Sequence, residues 1–146
     1  EGVIMPVRIL PGITVLLLLS TMLAYCSPTK GMTANQGEPF DITVGQSVAV
    51  VGTTLRINLT EVENDSRCPV DVTCVRAGDA TVKLSVVGAG PQTVPVVLVI
   101  GPEDTSKATA GLGNFVLTAI ALAPPPVSTQ PISQNEYVLR MIVRGV

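Results

Sequence analysis

Histidine and tryptophan are missing from this chain, and its remaining aromatic residues are two Phe and two Tyr. Without histidine no Ser-His-Asp or Cys-His catalytic unit can be assembled, whatever the fold. So few aromatics leave little with which to stack bases, and the nine Lys and Arg are scattered rather than clustered, which argues against a nucleic-acid surface. A glycosidase cleft is disfavoured too, because its acid needs a raised pKa beside aromatic sugar platforms. Lys, Glu and Gln are sparse while Val, Thr and Ile are abundant, so the composition leans towards strands. At 146 residues the chain holds one domain, large enough to bury a core without many disulfides.

The numbering starts at Glu1, but Met5-Pro6-Val7-Arg8 followed by an apolar run over residues 9–19 and then residues 20–26 has the order of an export leader: basic n-region, h-region, processing site. Met5 is the sensible start of that leader. The apolar stretch of residues 9–24 contains Pro11 and Gly12 and falls short of the ~20 residues that span a bilayer, which favours a cleaved signal over a permanent helix. Leu23-Ala24-Tyr25-Cys26 resembles a bacterial lipobox, in which the cysteine is lipidated and becomes the mature N-terminus. Tyr25 departs from the small residue usual before that cysteine. The plainer reading of Cys26 is an unpaired residue lost with the leader. Residues 27–37 are small, polar and Gly/Pro-bearing and read as a disordered tether that reaches on the order of 20 Å.

An odd number of cysteines, three, fits one lipidated residue and one bridged pair. Cys68 and Cys74 would close a seven-residue ring, and in an exported chain the first reading is a local disulfide. Loop-closure entropy gives such a ring only about 2 kcal/mol, so it staples a loop rather than holding the fold. The rival readings are a reactive thiol pair, which usually has two intervening residues, and a zinc site, which needs about four ligands. Pro69 pushes Cys68 towards extended geometry and Gly78 permits a turn where the chain re-enters a strand.

From Phe40 onwards the pattern has period two. Phe40, Ile42 and Val44 alternate with polar residues; residues 47–51 resume after Gly45-Gln46; Leu55, Ile57 and Leu59 form a half-buried strand whose phase breaks at Glu61-Val62, predicting a bulge or strand end. Ala80, Val82, Leu84 and Val86 make another strand. Residues 94–100 are nearly all apolar, with Pro95 marking an edge or bulge. Residues 101–114 read as a long polar loop, residues 115–122 as a strand stopped by Pro124-Pro125-Pro126, and Tyr137, Leu139, Met141 and Val143 as the closing strand. About seven strands without an amphipathic helix predict an all-β, immunoglobulin-like sandwich over residues 38–146, with a small barrel as the alternative.

Asp65-Ser66-Arg67-Cys68-Pro69 followed by Cys74-Val75-Arg76-Ala77-Gly78 resembles the signature of an uncharacterised group of bacterial secreted and lipoprotein β domains. The similarity extends more weakly to Leu122-Ala123-Pro124 and the Tyr137 strand. Where that group commonly has Trp before Ala-Gly, this chain has Arg76. The resemblance implies export and a β domain and brings no activity with it.

Glu61, Glu63 and Asp65 alternate and would line one strand face, with Asp71 and Asp79 converging from the loop, a set of oxygen ligands of the kind Ca²⁺ takes. The plainer reading is a solvated acidic rim neutralised by Arg67 and Arg76, because the Asp/Asn ladder of an EF-hand is absent. Gly111-Leu112-Gly113 lacks the Gly-Lys-Ser/Thr of a phosphate loop. Residues 124–131 read as a connector rather than a polyproline ligand, and the sequons Asn58-Leu59-Thr60 and Asn64-Asp65-Ser66 are accidental in a chain with a bacterial-type leader.

The expectation is therefore a non-enzymatic binding or structural module without a cofactor, exported and lipid-anchored on the outer face of a bacterial membrane or secreted. Its recognition loop carries Asp65, Arg67, Asp71 and Arg76, and its partner is an envelope or extracellular protein or glycan. Alternatives are a Ca²⁺-stabilised extracellular module and a subunit that self-assembles through strand edges.

Overall fold

Alternation decides which face each strand buries, and two breaks in that alternation decide the shape of the sheets. The computed structural model describes residues 31–102 and 104–146; the leader and Cys26 lie outside the described residues. Among these, nine strands form two sheets. One sheet has the order β1 (Met32–Ala34), β3 (Ser47–Val50), β4 (Arg56–Asp65), β5 (Ala80–Val87), β6 (Val94–Ile100); the other has β2 (Pro39–Thr43), β9 (Val138–Gly145), β8 (Phe115–Ala123), β7 (Thr109–Leu112). All pairs are antiparallel except β1 with β3.

β5 shows the simple case: Ala80, Val82, Leu84 and Val86 are buried and the residues between them are not. In β4 the buried positions change parity, from Ile57 and Leu59 to Val62, and the pairing with β5 slips between Leu59 and Glu61 and again between Val62 and Asn64. The extra residue of the first slip turns the strand so that Val62 reaches the core instead of Glu61. The same device operates in β8, where a slip between Ala119 and Ala121 leaves Ile120 outside and brings Leu122 in after Leu117 and Ala119. Inward residues of both sheets, including Ile57, Leu84 and Leu98 from one and Ile42, Leu117, Leu139 and Met141 from the other, share one apolar core. Full burial of each such side chain contributes about 1.5–3 kcal/mol. The architecture is all-β with two sheets over one core, compatible with a sandwich.

The seven expected strands are all present, and two more join them. Residues 101–114 are not a continuous loop: a 3₁₀ turn at Thr105–Ala108 leads into β7, which folds back on β8 through Gly113-Asn114. Nor are residues 27–37 a free tether throughout, because Met32–Ala34 is an edge strand; Ala34 is buried and its carbonyl accepts from the Val51 N–H at 2.8 Å. Pro95 lies in β6, at the outer edge of its sheet, where a missing N–H removes no ladder bond if it faces outward.

Candidate functional site: the disulfide loop

Beyond β4 and β5 the two chains continue side by side into the loop. Ser66 N–H donates to the Asp79 carbonyl at 2.8 Å and Cys68 N–H to the Ala77 carbonyl at 2.7 Å. So close an approach demands glycine at position 78: its φ is +67°, and a Cβ there would fall 1.8 Å from the Ser66 carbonyl oxygen. Cys68 and Cys74 are bonded to each other, with Cα atoms 5.9 Å apart. Inside the ring the Val72 N–H donates to the Pro69 carbonyl.

Two sets of contacts fix this ring against the other sheet. The Val70 N–H donates to the Pro126 carbonyl at 3.0 Å, and the Asp71 carboxylate accepts from the Ser128 N–H at 2.9 Å and from its hydroxyl. Those Ser128 bonds hold the Asp71 carboxyl below the usual carboxylate range. Deeper in, Arg67 makes a forked pair with Asp65, Nε to Oδ1 at 2.8 Å and Nη2 to Oδ2 at 2.7 Å. The same guanidinium donates to the Leu122 carbonyl and, at 2.9 Å, to that of Pro124. Tyr137 donates its hydroxyl to Asp65 at 3.1 Å. Burial pushes the Asp65 carboxyl up, but the bonds and charge of Arg67, with help from the Tyr137 hydroxyl, outweigh it and hold the group below 3.8. Burial and the neighbouring Asp65 charge raise the Tyr137 phenol. Arginine suits this position because its planar fork serves a carboxylate and two carbonyls at once.

The four expected recognition residues thus divide. Asp65 and Arg67, with side chains only 8% and 16% exposed, are enclosed and join the end of β4 to the end of β8. Asp71 is exposed but bonded to Ser128, and Arg76 is exposed at the mouth of a cleft. The five acidic residues, weighed above as Ca²⁺ ligands against a solvated rim, are divided among separate partners. The slip between Val62 and Asn64 breaks their alternation. Glu61 and Glu63 both bind the Lys83 ammonium, at 2.8 and 2.9 Å, and together raise its pKa; Asp65 faces Arg67, Asp71 faces Ser128, and Asp79 accepts from Ser66. Among the described residues no group of three or more acidic or Cys side chains is placed to hold a metal ion.

Two cavities of about 430 and 420 Å³ meet at Gly78 and Gly101 beside the loop. One is polar and balanced in charge, with Arg76 and Lys107 against Asp79 and Asp104, and Lys107 is 3.3 Å from Asp104. The other is more apolar, lined in part by Ala77, Ile100, Pro102 and Ile120. Outward from both, the ring exposes Val70 by 67%, Val72 by 47% and Val75 completely.

Reasoning from sequence missed several partners here: Ser128, Asp104, Lys107 and Gln134. The last caps β4 where β3 no longer covers it, its amide accepting from the Val62 N–H at 2.9 Å and donating to the Val62 carbonyl at 2.8 Å. For Arg67 a signal existed, since Asp65 and Arg67 are two apart and share one face of an extended chain. Compared with family models, curated proteins and solved structures, the chain matches none.

Proposed function

We propose that this chain is an exported, lipid-anchored module of the bacterial cell envelope, an immunoglobulin-like sandwich that binds or scaffolds without catalysis and whose contact surface is the Cys68–Cys74 loop. The observation that carries the reading is the valine-bearing ring. Of the nine exposed large apolar side chains among the described residues, three (Val70, Val72, Val75) fall within six positions of one another, on a loop closed by a disulfide. A ring held by Asp71, Arg67 and the bridge loses little conformational entropy on contact, which favours binding. Loops at the end of a rigid β scaffold are where such domains place recognition. The adjacent cleft supports binding rather than chemistry, because Lys107 pairs with Asp104 at its lining and histidine is absent from the chain.

The test is photo-crosslinking in native membranes from the full chain carrying a photoreactive residue at Val75 or, as control, at Val87, which is exposed at the far end of β5. A specific adduct from position 75 alone is expected. The same products from both positions would reject the loop as the contact surface.

A further inference from the structure

The strand directions place the valine ring and the N-terminal start of the domain at the same end of the sheet. β1 and β3 run parallel and β4 runs against them, so Gly31 and the Asp65 end of β4 point the same way. Met32 pairs with Val48, Val48 with Ile57, and Ile57 with Val86, whereas Asp65 pairs with Ala80. Six residues of β5 therefore separate the level of Met32 from the end of β4, a protrusion of about 20 Å at the usual strand rise. The ring continues beyond that, from the Cys68–Ala77 bond outward.

The chain between Cys26 and Met32 is six Cα spacings long, which reaches about 21 Å at full extension. Because Met32–Ala34 is tied into the sheet, this is the whole lead available, roughly half of what residues 27–37 would supply. While the Gly31 and Asp65 end of the sheet faces the surface, a tether no longer than the protrusion cannot lift the ring clear of it. Resting on the anchored reading above, we infer that the partner of the loop is the lipid surface itself: Val70, Val72 and Val75 seat in the bilayer interface as a second, non-covalent membrane contact. The chemistry agrees. The ring exposes three valines; Asp71 between them is charged, but its carboxylate is turned to Ser128, and Arg76 beside the ring is the exposed cation nearest the valines in sequence, suited to headgroup phosphates. Burying three valines adds binding in proportion to the apolar area removed from water, enough to orient a domain that a lipid already holds.

The absence of tryptophan makes the test direct. Full-length chains carrying Val75→Trp, Val70→Trp or Val87→Trp are purified from membranes, weighed intact to read acylation of Cys26, and reconstituted in phosphatidylethanolamine/phosphatidylglycerol vesicles with acyl chains brominated at mid-length. An unchanged Tm shows that each exposed substitution leaves the fold intact. Docking predicts a blue-shifted emission that loses most of its intensity to the brominated lipid at positions 75 and 70, and an unquenched, iodide-accessible emission at 87. An acylated chain whose position 75 is not quenched overturns the docking while leaving the anchor standing. Equal quenching at 75 and 87 overturns it as well, since the domain then lies on its side. Shielding of position 75 from iodide in native membranes without quenching by brominated lipid means that protein or glycan covers the loop, which also overturns it. A chain without acylation removes the anchored reading, and the reach argument with it.

Discussion

Replacing Arg67 with methionine tests the join between the two sheets. The substitution keeps an unbranched apolar stem and deletes the guanidinium, which serves the Asp65 carboxylate and the Leu122 and Pro124 carbonyls. Removing one partner of a buried pair leaves the other charge unpaired and costs ~3–5 kcal/mol when desolvation is complete. Asp65 keeps its bonds from the Arg67 backbone N–H and the Tyr137 hydroxyl, and water reaches the pair at its 16% exposed end. These lower the expectation to about 3 kcal/mol. Urea unfolding at neutral pH reads it as a fall in midpoint at constant m. The pH dependence carries an independent sign. The Asp65 pKa is depressed in the folded state, so its contribution is present above the unfolded value, near 3.8, and is lost as pH falls through the folded value. The gap between the native chain and Arg67→Met should therefore narrow below about pH 4. A loss under ~1 kcal/mol at neutral pH, the level of a surface ion pair, would refute the reasoning, as would a gap that widens in acid.

Opening the Cys68–Cys74 bridge by Cys68→Ser with Cys74→Ser should cost about 2 kcal/mol, from closure of a seven-residue ring. That lowers Tm by roughly 10 °C, while the far-ultraviolet circular dichroism keeps its β signature because the core lies elsewhere. Gly78→Ala should be more damaging than the lost bridge, at ~3 kcal/mol or more, since the new Cβ meets the Ser66 carbonyl in a backbone region that alanine avoids; denaturant midpoints rank the two. Calcium and chelator should give the same Tm, because Glu61 and Glu63 share Lys83 and Asp65 is held by Arg67; a stabilisation by calcium of several degrees would show that these pairs open for the ion. Val75→Trp should report a lipid environment in vesicles and Val87→Trp should not.

Strands with clean alternation were legible in the sequence: β5 can be read from Ala80, Val82, Leu84 and Val86 alone, and the parity break at Glu61-Val62 announced the bulge in β4. β1 was not legible, since three residues carry no period and its parallel pairing with β3 is a non-local contact. β7 was legible and missed. Gly113-Asn114 between Leu112 and Phe115 is a two-residue hairpin signal, but Gly111 and the small residues of β7 hid the strand before it. In the site, Asp65, Arg67, Cys68, Cys74 and Gly78 were visible as a motif, yet their roles were not. Arg67 reads as a surface charge until its partners, carbonyls more than fifty residues away, are known. Backbone acceptors leave no trace in side-chain pattern. The Asp65–Arg67 motif, Leu122, Pro124 and Tyr137 meet at this one corner. They form the mount of the loop rather than its exposed tip.

Intact mass of the chain from native membranes, taken with and without reduction before thiol alkylation, tests the central claim of an anchored domain with a stapled loop. The expected result is a mass beginning at Cys26 with added acyl chains, and two alkylation sites, Cys68 and Cys74, that open only after reduction. A mass without lipid, or thiols at Cys68 and Cys74 that alkylate without reduction, would contradict it.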